Sequence, residues 1–407
     1  METKQKTLNT NWAKIGLGLM FALILLPSNL KAIAILVFGV CILSLSFSRK
    51  PYFDTKFFIA NSAVYLVIAL TFFYSEDTEY ALRKLQQFAS LLVFPFIFAL
   101  TTKEERKSLF EGINKYLWIY VIGIFLFNVV FFIWFFATRY NFDQMMEHFA
   151  TVLRIKIGKY NIHPIYLSMH CGIAVLFSFY ILRATKSKLA IWSLIVMDII
   201  LVLFLLLYAK KGPLFGLIVV FTLFVLFQRK KGLLRPYILA VASLVLLTIA
   251  IPRTRNKFIE LLKIETLDKG EVTSTNIRYT IYTAAQRLIA EKPFQGYGIG
   301  DYNNELIKRY GENGDTILVE GRYNAHNQYF SLMLIGGIGA LLVFLITLGL
   351  NLIYAIRFDN QILILLLLFY GIVMFTENIL EREQGIIFFA FFLNFFTLKS
   401  LFVSEEA

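Results

Sequence analysis

A chain of 407 residues that is 58% hydrophobic, 16% aromatic and only 16% charged departs from water-soluble domains, which are roughly 45 to 50% apolar and about 25% charged, and reads as an integral membrane protein. Its net charge of +13 does not point to nucleic acid, because the lysines and arginines fall in short clusters between apolar runs, as topology signals do. Cys41 and Cys171 both lie within apolar runs, so neither a disulfide framework nor a thiolate metal site is suggested.

With a window of about 20 apolar residues, the sequence predicts twelve spans, at 13–28, 32–48, 57–74, 85–101, 116–137, 164–182, 189–208, 213–228, 236–252, 328–355, 362–376 and 385–400. Lys4, Lys6 and Lys14 give the first the look of a signal peptide. A second span follows almost at once without a convincing cleavage site, so the first is kept as a helix. With the N-terminus inside, the inside segments hold 19 Lys and Arg residues and the short outside loops hold 10; the other 11 lie in 253–327, which is long enough to escape the positive-inside rule. The expectation is an all-α, polytopic membrane helix bundle of about twelve helices with both termini cytoplasmic. Its parts are 1–252 (spans one to nine), 253–327 (one long outside loop) and 328–407 (spans ten to twelve and a cytoplasmic tail). No internal repeat is visible.

In chain order, the first polar residues of interest are His163 and His170, seven positions apart at the head of the sixth span and therefore on one helical face. His163, before a proline at the outside surface, is a candidate to touch substrate, whereas His170 reads as packing and His148 as solvated. Asp198, near the middle of the seventh span, is an intramembrane carboxylate and so a functional candidate by default, with protonation or pairing to a neighbouring helix as the alternative. Lys210 and Lys211 occupy the outside turn before Pro213, which is well placed as the first residue of the eighth helix. A helix N-terminus beside two ammonium groups favours a phosphate; the competing reading is that both lysines snorkel to lipid headgroups.

Within the long loop, Ile277, Ile281, Ala284 and Leu288 recur at helical spacing and predict an amphipathic helix over 274–290. Arg278 and Arg287 are nine positions apart and point to opposite sides of it, so only one can serve a given site. The run Lys292-Pro-Phe-Gln-Gly-Tyr-Gly-Ile-Gly-Asp301 has alternating glycines but lacks the strand that a dinucleotide loop requires. The loop ends in Arg322-Tyr-Asn-Ala-His-Asn-Gln-Tyr-Phe, which puts His326 at the water-facing lip of the tenth span. An apolar segment needs no titratable group there, but chemistry at the membrane surface does. Glu377, Glu381, Arg382 and Glu383 form a short charged outside loop, a candidate lining for an acceptor groove.

Lys211-Gly212 after a long span, Arg278 in a loop helix, Pro293-Phe-Gln-Gly-Tyr-Gly-Ile-Gly300, and Ala325-His-Asn-Gln-Tyr329 leading into Gly336-Gly-Ile-Gly339 together resemble the O-antigen ligase and polymerase family of membrane glycosyltransferases. Order and spacing match over roughly 190–345, and His163-Pro-Ile-Tyr166 and Thr376 to Gly385 resemble segments of relatives. The resemblance implies a GT-C-like bundle in the bacterial inner membrane with a periplasmic active site. It implies transfer of glycan from undecaprenyl diphosphate to lipid A core, inverting and with neither cofactor nor metal. By the same resemblance His326 is the general base and Lys211 and Arg278 hold the donor diphosphate, with Lys210 in support. Arg322, Asn327, His163, Tyr166 and Arg287 are possible substrate contacts. The family usually has Arg where this chain has Lys211, a point charge in place of a bidentate fork. The same donor and residues would serve a polymerase of lipid-linked glycan or a protein O-oligosaccharyltransferase. A transporter or flippase would show paired broken helices and repeat symmetry, which the sequence lacks.

Overall fold

The computed structural model describes residues 2–47, 49–138, 140–228, 231–267 and 272–404. Nineteen α-helices and no strand occur among them, as long apolar runs demand, since a backbone in lipid must satisfy its polar groups within the segment. The first are α1 (Glu2–Phe21), α2 (Ser28–Ser46), α3 (Thr55–Leu70), α4 (Thr78–Phe88), α5 (Ser90–Ala99), α6 (Lys103–Phe110) and α7 (Ile113–Ala137). Next come α8 (Phe142–Ile155), α9 (Pro164–Ala184), α10 (Lys188–Tyr208), α11 (Lys211–Gln228) and α12 (Lys231–Ala250). The loop contributes α13 (Pro252–Ile259), α14 (Ser274–Glu291), α15 (Tyr302–Glu312) and α16 (Thr316–Glu320), before α17 (Gln328–Arg357), α18 (Gln361–Val373) and α19 (Glu383–Ser404).

Six of these, α2, α3 with its 3-10 extension to Tyr74, α7, α9, α10 and α17, are long and apolar enough to cross a membrane. The other predicted spans fall on α1, α5, α11, α12, α18 and α19, of which α5, α11 and α18 are shorter apolar helices. Length and hydropathy therefore support six spans directly rather than twelve. The predicted 85–101 span divides at Ala89, its first residues, Leu85 to Phe88, ending α4 and Ser90–Ala99 forming the ten-residue α5.

The centre of the bundle is α9, 83% of whose apolar window is buried, against 28% for α10. Around it pack α7, α10, α11 and α18. Without a hydrophobic drive between helices in lipid, shape and dispersion hold such a bundle together, and aromatic rings supply much of both here. Phe21 of α1 meets Phe391 of α19 edge-on at 5.4 Å and 79°, and Tyr120 of α7 meets Phe392 at 5.3 Å and 80°. Each such pair adds about 0.5–1.5 kcal/mol beyond the area it covers.

The glycine run of the loop proves to be a docking device. Helix α17 breaks at Gly336 and Gly337, the latter at φ +62, and the broken turn is completed by the loop. Tyr297 N–H donates to Leu334 O (2.7 Å), Gly298 N–H to Ile335 O (2.9 Å), and Ile338 N–H to Pro293 O (2.8 Å). A Cβ on Gly337 would stand 2.1 Å from Phe294 O, so only glycine permits this approach. Asp301 accepts from the N–H groups of Glu76 (2.8 Å) and Asp77 (3.0 Å), tying the same loop to the end of α3.

Candidate active site

The site is built where α11, α14, the entry to α17 and the α18–α19 connection meet. Helix α10 ends with Ala209 in the left-handed region, φ +51, and α11 begins at Lys211. Pro213 is thus the third residue of α11 and not its first. The difference costs the helix little, because N–H groups of a first turn have no intrahelical partner, and it places Lys211 itself at the positive end. Its Nζ donates to Thr275 Oγ1 (2.6 Å) and pairs with Glu260 Oε2 (3.3 Å). Glu260 also takes Lys257 Nζ (2.7 Å) and Ser274 Oγ (3.0 Å). Two ammonium groups and two hydroxyls therefore surround one carboxylate at the start of α14.

Helix α14 forms as its periodicity predicts, with Ile281, Ala284 and Leu288 buried and Thr273 as N-cap, accepting from Asn276 N–H. One turn in, Arg278 donates through Nε to Thr376 O (3.3 Å) and through Nη1 to Ser274 O (3.4 Å). Its Nη2 lies 3.6 Å from Glu377 Oε2, and that same oxygen lies 3.3 Å from His326 Nδ1. Glu377 is 6% exposed. Burial pushes its carboxyl up, but His326, through charge and hydrogen bond, and then Arg278 and His163 outweigh burial and hold it down at about 2.

His326 has φ +46, a left-handed conformation uncommon outside glycine and found where surrounding structure imposes it. The imposing contacts are specific. Its N–H donates to Asn324 Oδ1 (3.2 Å) and its carbonyl accepts from Tyr282 OH (3.1 Å). Asn324 Nδ2 in turn donates to Glu381 Oε2 (3.2 Å), while Asn327 caps α17 by accepting from Tyr329 N–H (2.9 Å) and Phe330 N–H (3.1 Å). Burial raises the Tyr282 phenol to about 12, Arg278 opposing and Glu377 reinforcing, so Tyr282 remains a donor at neutral pH. Among the described residues the second ring nitrogen of His326, Nε2, takes no hydrogen bond; it is the nitrogen left for a substrate.

The structure thus joins His326, Arg278 and Lys211 through Thr376, Glu377 and the start of α14. Other expected residues stand around or apart. His163 caps α9, its Nδ1 accepting from Ile165 N–H (3.4 Å). Burial and then the charge of Lys210 hold its imidazole down at about 4, so both belong to the rim of the cluster. Tyr166 is buried, donating to Asn378 O (3.1 Å). Asn327 is occupied as a helix cap, and Arg322 is exposed and donates to Asn304 Oδ1 (3.3 Å). Arg287 is exposed on the face of α14 away from Arg278.

His170 is a core residue, bonded to Tyr120 OH (2.7 Å) and Gln384 O (3.1 Å), and His148 is exposed. Asp198 accepts from Ser178 Oγ (2.7 Å) and borders a separate cavity of about 560 Å³ between α9, α10, α11 and α12. The charged loop after α18 is not an open lining: Glu377 and Glu381 are buried, and Glu383 pairs with Lys31 at 3.6 Å. Glu260, Thr275 and Tyr282 carried no sequence signal, whereas Glu377 had one, a carboxylate flanked by apolar helices. Among the described residues no group of three or more His, Cys, Asp or Glu side chains is placed to hold a metal ion.

Apolar spanning helices around a half-buried cluster of cations and a histidine define a multi-pass membrane protein with a site suited to anionic substrates. Residues 173–345 match the family model described as O-antigen ligase. The match supports a function of the O-antigen ligase or polymerase type on lipid-linked glycans. It includes Lys211, Arg278 and His326 and ends before Glu377. Comparison with curated proteins gives no match.

Proposed function

We propose that the protein is an O-antigen ligase type glycosyltransferase, moving a glycan from undecaprenyl diphosphate to lipid A core on the periplasmic face of the inner membrane. The observation that carries this reading is the convergence of Arg278 and His326, far apart in sequence, on the segment Thr376–Glu377, with Gly212, the neighbour of Lys211, packed against Thr376. Lys211 and Arg278, with Lys210 nearby and the N-terminus of α11 behind them, bind the diphosphate as fixed charges. His326 Nε2 takes the proton of the acceptor hydroxyl. The acceptor oxygen then bonds to the anomeric carbon from the face opposite the leaving group, and the carbon–oxygen bond to the diphosphate breaks with its electron pair remaining on phosphate. The anomeric configuration inverts.

The cations stabilise the charge that gathers on the departing diphosphate, and no metal is required for that step. The segment 253–327 lies outside the membrane and both termini inside. The test is reconstitution in proteoliposomes with an undecaprenyl-diphosphate-linked glycan and a lipid A core acceptor, with and without chelator. Glycan on lipid A core and free undecaprenyl diphosphate are the expected products, undiminished by chelation. A longer lipid-linked glycan in place of that product would make the protein a polymerase, and no consumption of the donor would overturn the reading.

A further inference from the structure

Glu377 lies outside the matched segment and yet touches two of the three groups assigned to chemistry. Its Oε2 is 3.3 Å from His326 Nδ1 and 3.6 Å from Arg278 Nη2. We infer that Glu377 is a positioning residue for His326: its carboxylate fixes the imidazole proton on Nδ1, leaves Nε2 as the base, and stabilises the imidazolium formed when the acceptor proton arrives. This rests on the glycosyl-transfer reading for its catalytic consequence, though not for its structural one.

The geometry leaves little choice of tautomer. A carboxylate is an acceptor only, and Glu377 is held ionised by the charges around it. Two acceptors do not face each other across a hydrogen bond, so Nδ1 carries the proton. A neutral imidazole with one nitrogen protonated has its lone pair on the other, which here is Nε2.

The carboxylate is itself fixed. Asn378, next in the chain, donates to Ser331 Oγ (2.7 Å) and Glu381 Oε1 (2.8 Å), and Gln328 N–H donates to Met374 O (2.9 Å). These bonds tie the connection after α18 to the first turn of α17, where His326 stands. A simple counter-ion for Arg278 would not need this arrangement, since Arg278 is also anchored on the carbonyls of Thr376 and Ser274. Among the described residues no second carboxylate pairs with this histidine. Its other neighbours are the Tyr323 ring at 5.8 Å, Asn324 and the Tyr282 phenol on its carbonyl.

Two measurements on the detergent-solubilised full chain test the inference, using Glu377→Gln and Glu377→Asp, with His326→Gln to assign the signal. Nitrogen-15 NMR of labelled histidine reads the tautomer of the neutral ring without any substrate. The parent is expected to show His326 protonated on Nδ1, and Glu377→Gln to lose that preference. In the transfer assay with undecaprenyl-diphosphate-linked glycan, Glu377→Gln is expected to lower kcat by about 100-fold, within the range of general acid–base catalysis, with inorganic diphosphate binding not weakened, because the change removes a negative charge beside Arg278. Glu377→Asp should recover part of the rate. A parent ring protonated on Nε2, or a Glu377→Gln variant with parental kcat, would overturn the inference. A parent with the Nδ1 tautomer but no transfer from the lipid diphosphate would overturn the proposed function and leave the positioning of His326 standing.

Discussion

Gly212 of α11 and Thr376 after α18 touch: a Cβ on Gly212 would stand 2.3 Å from the threonine hydroxyl. The contact brings the lysine that opens α11 against the segment whose next residue is Glu377. Substituting valine forces these elements apart at a cost of about 1–3 kcal/mol, as overpacking does, and shifts Lys211 away from Arg278. Gly212→Val should therefore lower both the melting temperature in detergent and the transfer rate. Gly349→Ala is the control, because beyond its own helix backbone no heavy atom of the described residues lies within 4 Å of the Cβ it adds. Equal behaviour of the two variants would remove the role given to this contact.

The two cations should behave differently from the histidine. A charge that pairs with the diphosphate acts on substrate and transition state together, so Lys211→Ala and Arg278→Ala are expected to weaken donor binding and turnover alike. Lys211→Arg keeps the charge and should retain much of the activity. If Lys211→Ala binds inorganic diphosphate like the parent, the anion is held elsewhere, and Lys210 becomes the residue to change.

Acid should destabilise the protein in two stages. His163 is held down at about 4 and Glu377 at about 2, both below their unfolded values. Each therefore contributes stability that is full above its unfolded pKa and is lost as pH falls through the folded one. The His163 contribution fades between about pH 6.5 and 4, and that of Glu377 between about pH 4.5 and 2. Melting temperatures measured from pH 7 to pH 5 should fall less in His163→Gln than in the parent, and equal slopes would contradict the assignment.

Much of the fold was legible because the lipid requirement is severe. Apolar runs gave α7, α9, α10 and α17 nearly to the residue, and the spacing of Ile281, Ala284 and Leu288 gave α14. The site was legible in parts. Histidine at a lip and lysines before a helix are local patterns, and His326 and Lys211 carried them, whereas Arg278 was set apart from Arg287 only by the family resemblance. Glu260 and Tyr282 carried no such pattern, since their roles come from partners brought in by tertiary packing. The sequence ruled out a dinucleotide loop for the glycines of 293–300 but did not show their use, which is to approach the break at Gly336 and Gly337, since no local pattern announces it.

The topology rests on a charge count and has a direct check. Reporter fusions after Asn313 should give an outside signal, and fusions at either terminus an inside one. A cytoplasmic signal near Asn313 would put His326 on the wrong face for a donor that waits on the periplasmic side.

If His326 takes the acceptor proton, His326→Ala in a transfer assay with undecaprenyl-diphosphate-linked glycan, with donor binding measured in parallel, should turn over more slowly by about 100-fold to 10,000-fold, the usual worth of a positioned acid or base, with folding and donor binding largely intact. Near-parental turnover by His326→Ala would contradict that role and leave this histidine as a hydrogen-bonded residue of the turn that opens α17.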